Sequence, residues 1–452
     1  MPVRLIDSLA TTEPLAEVFS DRSVLQAMLE FEVALARVGA RLKIIPQAAA
    51  EVIATVAIPA AFDIAALSRD TLRAGTPGIP LAKALTERVH AKDATAAGFV
   101  HWGATSQDVA DTALILLLKR AQLLLASDLA RIEQALHRLA DQHQDTIMLG
   151  RTLLQGAPPV TFGLKAAGWL AAVHRGSSRL RQSFEEALIV QFGGASGTLA
   201  ALGAQGLAVA RGLADELGVA CPDAPWHTHR DRLASLVCAC GVLTGTLGKM
   251  ARDISLLMQS EVGEAAEPGG EGRGGSSTMP HKRNPVGCAL TLAAANRVPG
   301  LVSSYLSAMV QEHERAVGAW QSEWPIVAGV IQATGVAAAS ITEITEGLSV
   351  DSAQMQSNID ATLGTIFAEK AMLLLAQNLG RDKAYKLLEE ATRQAVERKK
   401  PLAKVLGEMP EVARHIDEAT LNKLHVAEDY LGSADSFRIQ QLRSNHPTDK
   451  KD

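Results

Sequence analysis

The stretch Gly274-Gly275-Ser276-Ser277-Thr278-Met279-Pro280-His281-Lys282-Arg283-Asn284-Pro285 gathers groups suited to proton chemistry. Ser276 and Ser277 supply hydroxyls, Lys282 a point cation and Asn284 a directional amide donor, while Pro280 and Pro285 stiffen the backbone that presents them. A serine removes a carbon-bound proton only if its alkoxide is stabilised. Lys282, Asn284 and the loop N–H groups are the stabilisers at hand. Residues 263–275 are too rich in Gly, Glu and Pro to be helical, so the cluster is expected to ride on a mobile flap. A surface loop with a solvated basic cluster is the plain alternative.

A second group precedes it: His101-Trp102-Gly103-Ala104-Thr105-Ser106-Gln107-Asp108. Thr105, three residues before Asp108, forms a variant of the capping box for the helix that follows, and capping is the preferred role of Asp108. A helix N-terminus with free N–H groups and two hydroxyls is also a carboxylate binder, so both readings hold together and His101 becomes a ligand candidate beside them. Arg151, Thr152 and Gln155 are further polar candidates. For Arg151 a salt bridge at a helix end is an equal reading. Arg315 and His313, in Gln311-Glu312-His313-Glu314-Arg315, either hold a multiply charged substrate or lie on a solvated face. The glycine-dense 191–198 lacks GxGxxG and GxxxxGK[ST], so close backbone packing is its better reading. His227 and His229 are two apart, which on a helix points them to different faces, and structural roles are expected there.

These groups need positioning elements, and the composition says which. Hydrophobic residues are 47% of the 452 but aromatic ones only 4%, so Ala and Leu carry the apolar content and packed helices are favoured over sheets. Ser20 or Asp21 is the expected N-cap of a helix running through Phe31. Residues 74–80 read as a loop and 81–90 as helix. Long helices are expected over about 109–144, from Pro158-Pro159 in a first turn to about 188, from the loop to about 311 with a kink at Pro299, and over 326–348. Asp351 caps a last set of shorter helices, and the tail 444–452 is expected to be disordered. The reading is all-α: an N-terminal helical domain over 1–110, a central bundle over 111–350 containing the loop 263–285, and a C-terminal helical domain over 351–452. The net charge of −5 argues against a general nucleic-acid binder. Four cysteines without a CxxC pair are expected to be reduced core residues of a cytoplasmic protein. The start lacks a signal-peptide apolar core, and no uninterrupted apolar run reaches bilayer length, so no membrane is expected.

The string Ser-Ser-x-Met-Pro-x-Lys-x-Asn at 276–284 resembles the signature loop of the fumarase/aspartase superfamily. Residues 101–108 resemble its first common region and 150–159 its second, so the likeness spans nearly the whole chain. It implies three all-α domains, five long central helices per subunit, a twenty-helix core in a homotetramer, and active sites each built from three subunits. It also implies Ser276 as catalytic base, with Lys282 and Asn284 holding the substrate carboxylate. Thr105 and Ser106 would contact substrate, with His101, Arg151, Thr152, Gln155, Ser277, His281 and Arg315 as the other candidates.

The superfamily chemistry is β-elimination next to a carboxylate, or its reverse. In the amidine- and purine-type lyases a His–Glu pair helps an amine depart. Here the matching positions are Leu153 and Ala289, so both halves are missing together. A carboxylate, with a pKa near 4, leaves without an acid. The wording of 151–155, 191–203, 225–232 and 311–315 is similar to the lactonising branch of the superfamily, in which a diene tricarboxylate closes on its own alkene. The expectation is such a polycarboxylate substrate, with no metal or organic cofactor. A succinyl-group lyase and a non-catalytic helical scaffold are the rivals. Against the first stand Leu153, Ala289 and the lack of a histidine at 75–78.

Overall fold

The computed structural model describes residues 5–270, 274–275, 279 and 282–444. Ser276, Ser277 and His281, and the expected disorder of the tail from 445 on, lie outside the described residues. The rest is all-α with two short ribbons, as composition requires. By contacts the chain forms two compact units, each discontinuous in sequence: one of 1–130, 175–249 and 289–341, the other of 131–174, 250–288 and 342–452.

In the first unit, helix α1 (Asp21–Arg41) begins at Ser20, whose side chain accepts the Ser23 N–H, as its sequence predicts. Its apolar stripe (Leu25, Met28, Leu29, Phe31, Leu35, Val38) packs with Leu81, Leu85 and Val89 of α2 (Gly78–Lys92). Helix α2 starts three residues before the expected position, because Gly78 and Pro80 fit its first turn. Helix α3 (Ser106–Gln142) is buried on all sides from Val109 to Leu118, the signature of a helix inside a core.

In the second unit, residues 147–161 hold a correction. Pro158 and Pro159, expected in the first turn of a helix, lie in strand β2 (Gln155–Thr161), antiparallel to β1 (Ile147–Thr152). Helix α4 starts only at Phe162 and runs to Ala187. A two-stranded ribbon has free edges, where prolines cost no ladder hydrogen bond. A bulge lies between Met148 and Gly150. A Cβ on Gly150 would sit 2.2 Å from the Pro158 carbonyl oxygen, so the ribbon needs glycine there. The C-terminal helices pack Leu375, Leu388, Leu402 and Leu406 into a core of their own. Asp351 caps Ser352–Asp360 by accepting the Gln354 N–H at 2.9 Å.

The remaining long helices are α5 (Asp231–Leu257), α6 (Val286–Ala308, containing Pro299) and α7 (Ala319–Gly347). Helix α7 starts seven residues before the expected position and holds Pro325 inside it, because Trp320 and Glu323 are anchored to buried partners described below. These three helices are also long and apolar enough to cross a membrane by length and composition, against the expectation that none would be. Of the three, α6 is the least covered within the chain. Cys240 and Cys288 are buried and Cys238 is half-buried, but Cys221 is exposed, contrary to its expected core position.

Candidate active site

Several polar groups converge at the N-terminus of α3. Thr105 donates its N–H to Asp108 Oδ2 at 3.0 Å, so the capping expectation holds. Its hydroxyl accepts from Arg315 Nη1 at 2.9 Å, and Arg315 Nη2 also donates to the Ala195 carbonyl at 3.0 Å. Arg315 thus stands beside the helix end that carries Thr105 and Ser106. A helix N-terminus, two hydroxyls and a guanidinium together suit a carboxylate. A Cβ on Gly78 would meet Ser106 at 2.8 Å, so the start of α2 abuts the same point.

Asp108 does more than cap. Fully buried, it accepts from four donors: the N–H groups of Thr105, Gly193 and Gly194, and His227 Nε2 at 2.7 Å. The 191–198 loop therefore serves backbone packing at this cap. His101 lies nearby in sequence, in the left-handed region at φ 59, with Nδ1 2.6 Å from Glu32 Oε1. Burial pulls its pKa down, but the Glu32 charge and hydrogen bond, with Asp108 behind them, outweigh this and raise it.

Below the cap lies a charge cluster. Arg230 donates to Asp111 (Nη1 to Oδ2, 2.7 Å) and to Glu323 (Nε to Oε1, 3.0 Å), with all three side chains buried. The Trp226 ring covers the guanidinium at 4.5 Å. Trp320 Nε1 donates to Asp111 at 2.9 Å and Gln311 Nε2 to Glu323 at 2.7 Å. Burial would raise the Asp111 pKa, but Arg230, Trp320 and Gln191 lower it overall. At Glu323 burial prevails and the pKa is raised. The cluster ties α3, α5 and α7 to the 311–315 segment that carries Arg315. Thr228 adds a bond to the His313 carbonyl at 2.9 Å.

The second unit holds the signature loop. Arg151 makes a two-pronged contact with buried Glu264 (Nη2–Oε1 2.6 Å, Nη1–Oε2 2.8 Å), which also accepts from Asn358 at 2.7 Å. The salt-bridge reading of Arg151 holds, at a strand end and not a helix end. Thr152 and Gln155 flank the two-residue turn Leu153–Leu154, exposed and in the left-handed region at φ 49 and 64. Beyond Glu264, strand β3 (Ala265–Ala266) pairs with β4 (Ser349–Val350). Glu267 then accepts the N–H groups of Gly287 and Cys288, at 2.9 and 2.7 Å, at the start of α6. Between these clamps Asn284 N–H donates to the Gly274 carbonyl at 2.8 Å, and Gly275 bridges Arg283. Lys282 is exposed and Asn284 half-buried.

Sequence reasoning missed Glu32, Asp111, Glu264, Glu267 and Glu323, and gave Asp108 and His227 less than they do. Buried carboxylates carry no local signal of their partners. A cavity of about 480 Å³ near Trp320 and Trp324 is lined by Val24, Leu25, Met28 and Ile64 and has no lysine or arginine, so it does not suit a polycarboxylate.

The comparisons with known proteins agree with this geometry. The family model described as "Lyase" matches residues 9–300, and "Adenylosuccinate lyase C-terminus" matches 364–438. The chain is 49% identical to a 3-carboxy-cis,cis-muconate cycloisomerase of Bradyrhizobium diazoefficiens, over 94% of each chain. It is 41% identical to a nitrosuccinate lyase of Streptomyces davaonensis, over 95% of this chain and 92% of that one. The crystal structure of the 3-carboxy-cis,cis-muconate lactonizing enzyme from Pseudomonas putida superposes with a TM-score of 0.91 at 43% identity, covering 98% of both chains. With a family match over most of its length and relatives this similar from end to end, the chain belongs to the lyase family of the fumarase/aspartase superfamily.

Proposed function

We propose that this chain catalyses the intramolecular lactonisation of 3-carboxy-cis,cis-muconate to 4-carboxymuconolactone, in the protocatechuate branch of the β-ketoadipate pathway. The observation that carries it is end-to-end similarity to cycloisomerases of that name. The chemistry agrees. With Leu153 and Ala289 in place of the acid pair, the reverse reaction needs a leaving group that departs as an anion.

In the forward direction, one carboxylate oxygen of the diene bonds to an alkene carbon. The alkene electron pair moves toward the neighbouring carboxylate, where Lys282, Asn284 and loop N–H groups hold the charge. The Ser276 hydroxyl then gives its proton to the adjacent carbon, and in reverse its alkoxide is the base. Thr105, Ser106 and Arg315 bind a second carboxylate. His101, Arg151, Thr152, Gln155, Ser277 and His281 complete the set of candidate contacts. The assembly is a homotetramer with active sites shared between subunits, acting in the cytoplasm. The apolar and little-covered α6 supports the assembly.

The test is ultraviolet absorbance of 3-carboxy-cis,cis-muconate with pure protein, with adenylosuccinate and nitrosuccinate in parallel. Loss of the conjugated-diene band is the expected result. An unchanged diene with either succinate cleaved would replace this reading by a lyase. No turnover of any of the three would leave a non-catalytic scaffold.

A further inference from the structure

His227 has no place in the reaction as written, yet it is buried against Asp108, a carboxylate in the first turn of α3. Asp108 is the third residue of α3, within the helix turn whose N–H groups and hydroxyls are to receive a substrate carboxylate. Its oxygens would compete with that carboxylate for the donors of the turn if they were not already engaged. Asp108 is held off by its four donors. Three are backbone N–H groups, and the fourth is His227 Nε2 at 2.7 Å. The imidazole approaches so closely that a Cβ on Gly193 would sit 2.7 Å from its Cε1, which explains glycine at that position.

The contacts form a closed ring. His227 holds Asp108, and Asp108 holds the N–H groups of Gly193 and Gly194. The carbonyls of Gly194 and Ala195 then accept from Arg315 Nη2, and Arg315 Nη1 donates to the Thr105 hydroxyl. Thr105 closes the ring through its own N–H to Asp108. Take away the His227 donor and Asp108 Oδ1 keeps only the Gly193 N–H, so that oxygen is left to draw on the donors around the α3 end.

We infer that His227 is a positioning residue: by engaging Asp108 it keeps the α3 N-terminus and Arg315 available to a substrate carboxylate. The inference rests on the polycarboxylate substrate proposed above, but it concerns binding, so it can be separated from turnover. Only the Nε2 position reaches Asp108. A glutamine amide nitrogen can occupy that place, whereas an asparagine amide nitrogen stops where Nδ1 lies.

The experiment compares His227→Gln with His227→Asn in the full-length protein. Calorimetry measures binding of tricarballylate, a saturated tricarboxylate, and steady-state kinetics measures KM and kcat on the diene. Melting temperatures are recorded for both variants. The asparagine variant is expected to bind tricarballylate about tenfold more weakly and to raise KM by about the same factor with kcat little changed, while the glutamine variant stays within about threefold of wild type. Equal behaviour of the two variants, or a loss confined to kcat, overturns the inference. So does collapse of the asparagine variant's melting temperature, which would show a purely structural histidine. Wild-type protein that binds no tricarballylate also overturns it. If the binding series holds but wild type leaves the diene intact, the lactonisation reading falls and the positioning role stands.

Discussion

Removing the Glu267 carboxylate tests whether the signature loop works because its ends are clamped. Glu267 precedes the string 274–285, and the two N–H groups it accepts, Gly287 and Cys288, follow it. All three residues are buried. Each contact is a charge-assisted hydrogen bond at a helix N-terminus, of the kind that contributes about 1.5–3 kcal/mol. Glu267→Ala removes both and withdraws a buried acceptor from two N–H groups, so the clamp should weaken by about 3–5 kcal/mol, discounted for any water that enters. The Asn284–Gly274 hydrogen bond and the Gly275–Arg283 bridge lie inside the clamp and lose its support. At about 1.4 kcal/mol per factor of ten, a loss of 3 kcal/mol lowers the population with Lys282 and Asn284 in place by up to about 100-fold. The assay is kcat for lactonisation, read beside amide hydrogen exchange at Gly287 and Cys288. Both should change together: kcat down by about 10–100-fold, and exchange faster at those amides than elsewhere in α6. Glu267→Gln should fall between, since one amide oxygen still accepts while its NH2 faces a second donor. A Glu267→Ala protein with kcat within about twofold of wild type and unaltered exchange would refute the clamp.

Ser276→Ala should cut kcat by about 10²–10⁴-fold or more at an unchanged melting temperature, and near-normal turnover in that variant would remove serine from the mechanism. Arg230→Met leaves Asp111 and Glu323 buried without their cation and should destabilise the first unit by about 3–5 kcal/mol, while Arg230→Lys, which keeps the charge but not the forked contacts, should cost less, as thermal melts of wild type and both variants would show. The raised pKa of His101 gives a pH test. A group whose folded pKa lies above its unfolded value of about 6.5 contributes stability that is fully present below that pH and is lost as pH rises through the folded pKa. Glu32→Gln should therefore melt below wild type at about pH 6, with the gap shrinking toward pH 8, and a gap that widens with pH would contradict the pairing.

What the sequence could reveal depended on how far each cause reaches along the chain. The caps at Ser20, Thr105 and Asp351 are hydrogen bonds spanning three residues, and all three were legible. Helical class followed from Ala and Leu content for the same local reason. Pro158, expected in a first turn, and Pro325, outside the helix expected over 326–348, are both overruled from a distance. The first is tolerated on a ribbon edge, and the second lies in a helix whose start is fixed by Trp320 on Asp111 and Glu323 on Arg230. Those partners are 209 and 93 residues apart, and no periodicity connects them. The same limit applied within the site. Asp108 was legible as a cap because Thr105 is three residues away, but His227 is 119 residues away. That unseen partner changes what the cap means. A carboxylate in the first turn of a helix can fill an anion site or be held out of it, and the difference lies in which donors claim its oxygens. Thr105, Gly193, Gly194 and His227 draw both oxygens of Asp108, so what the first turn of α3 can offer an anion is set by donors far away in the sequence.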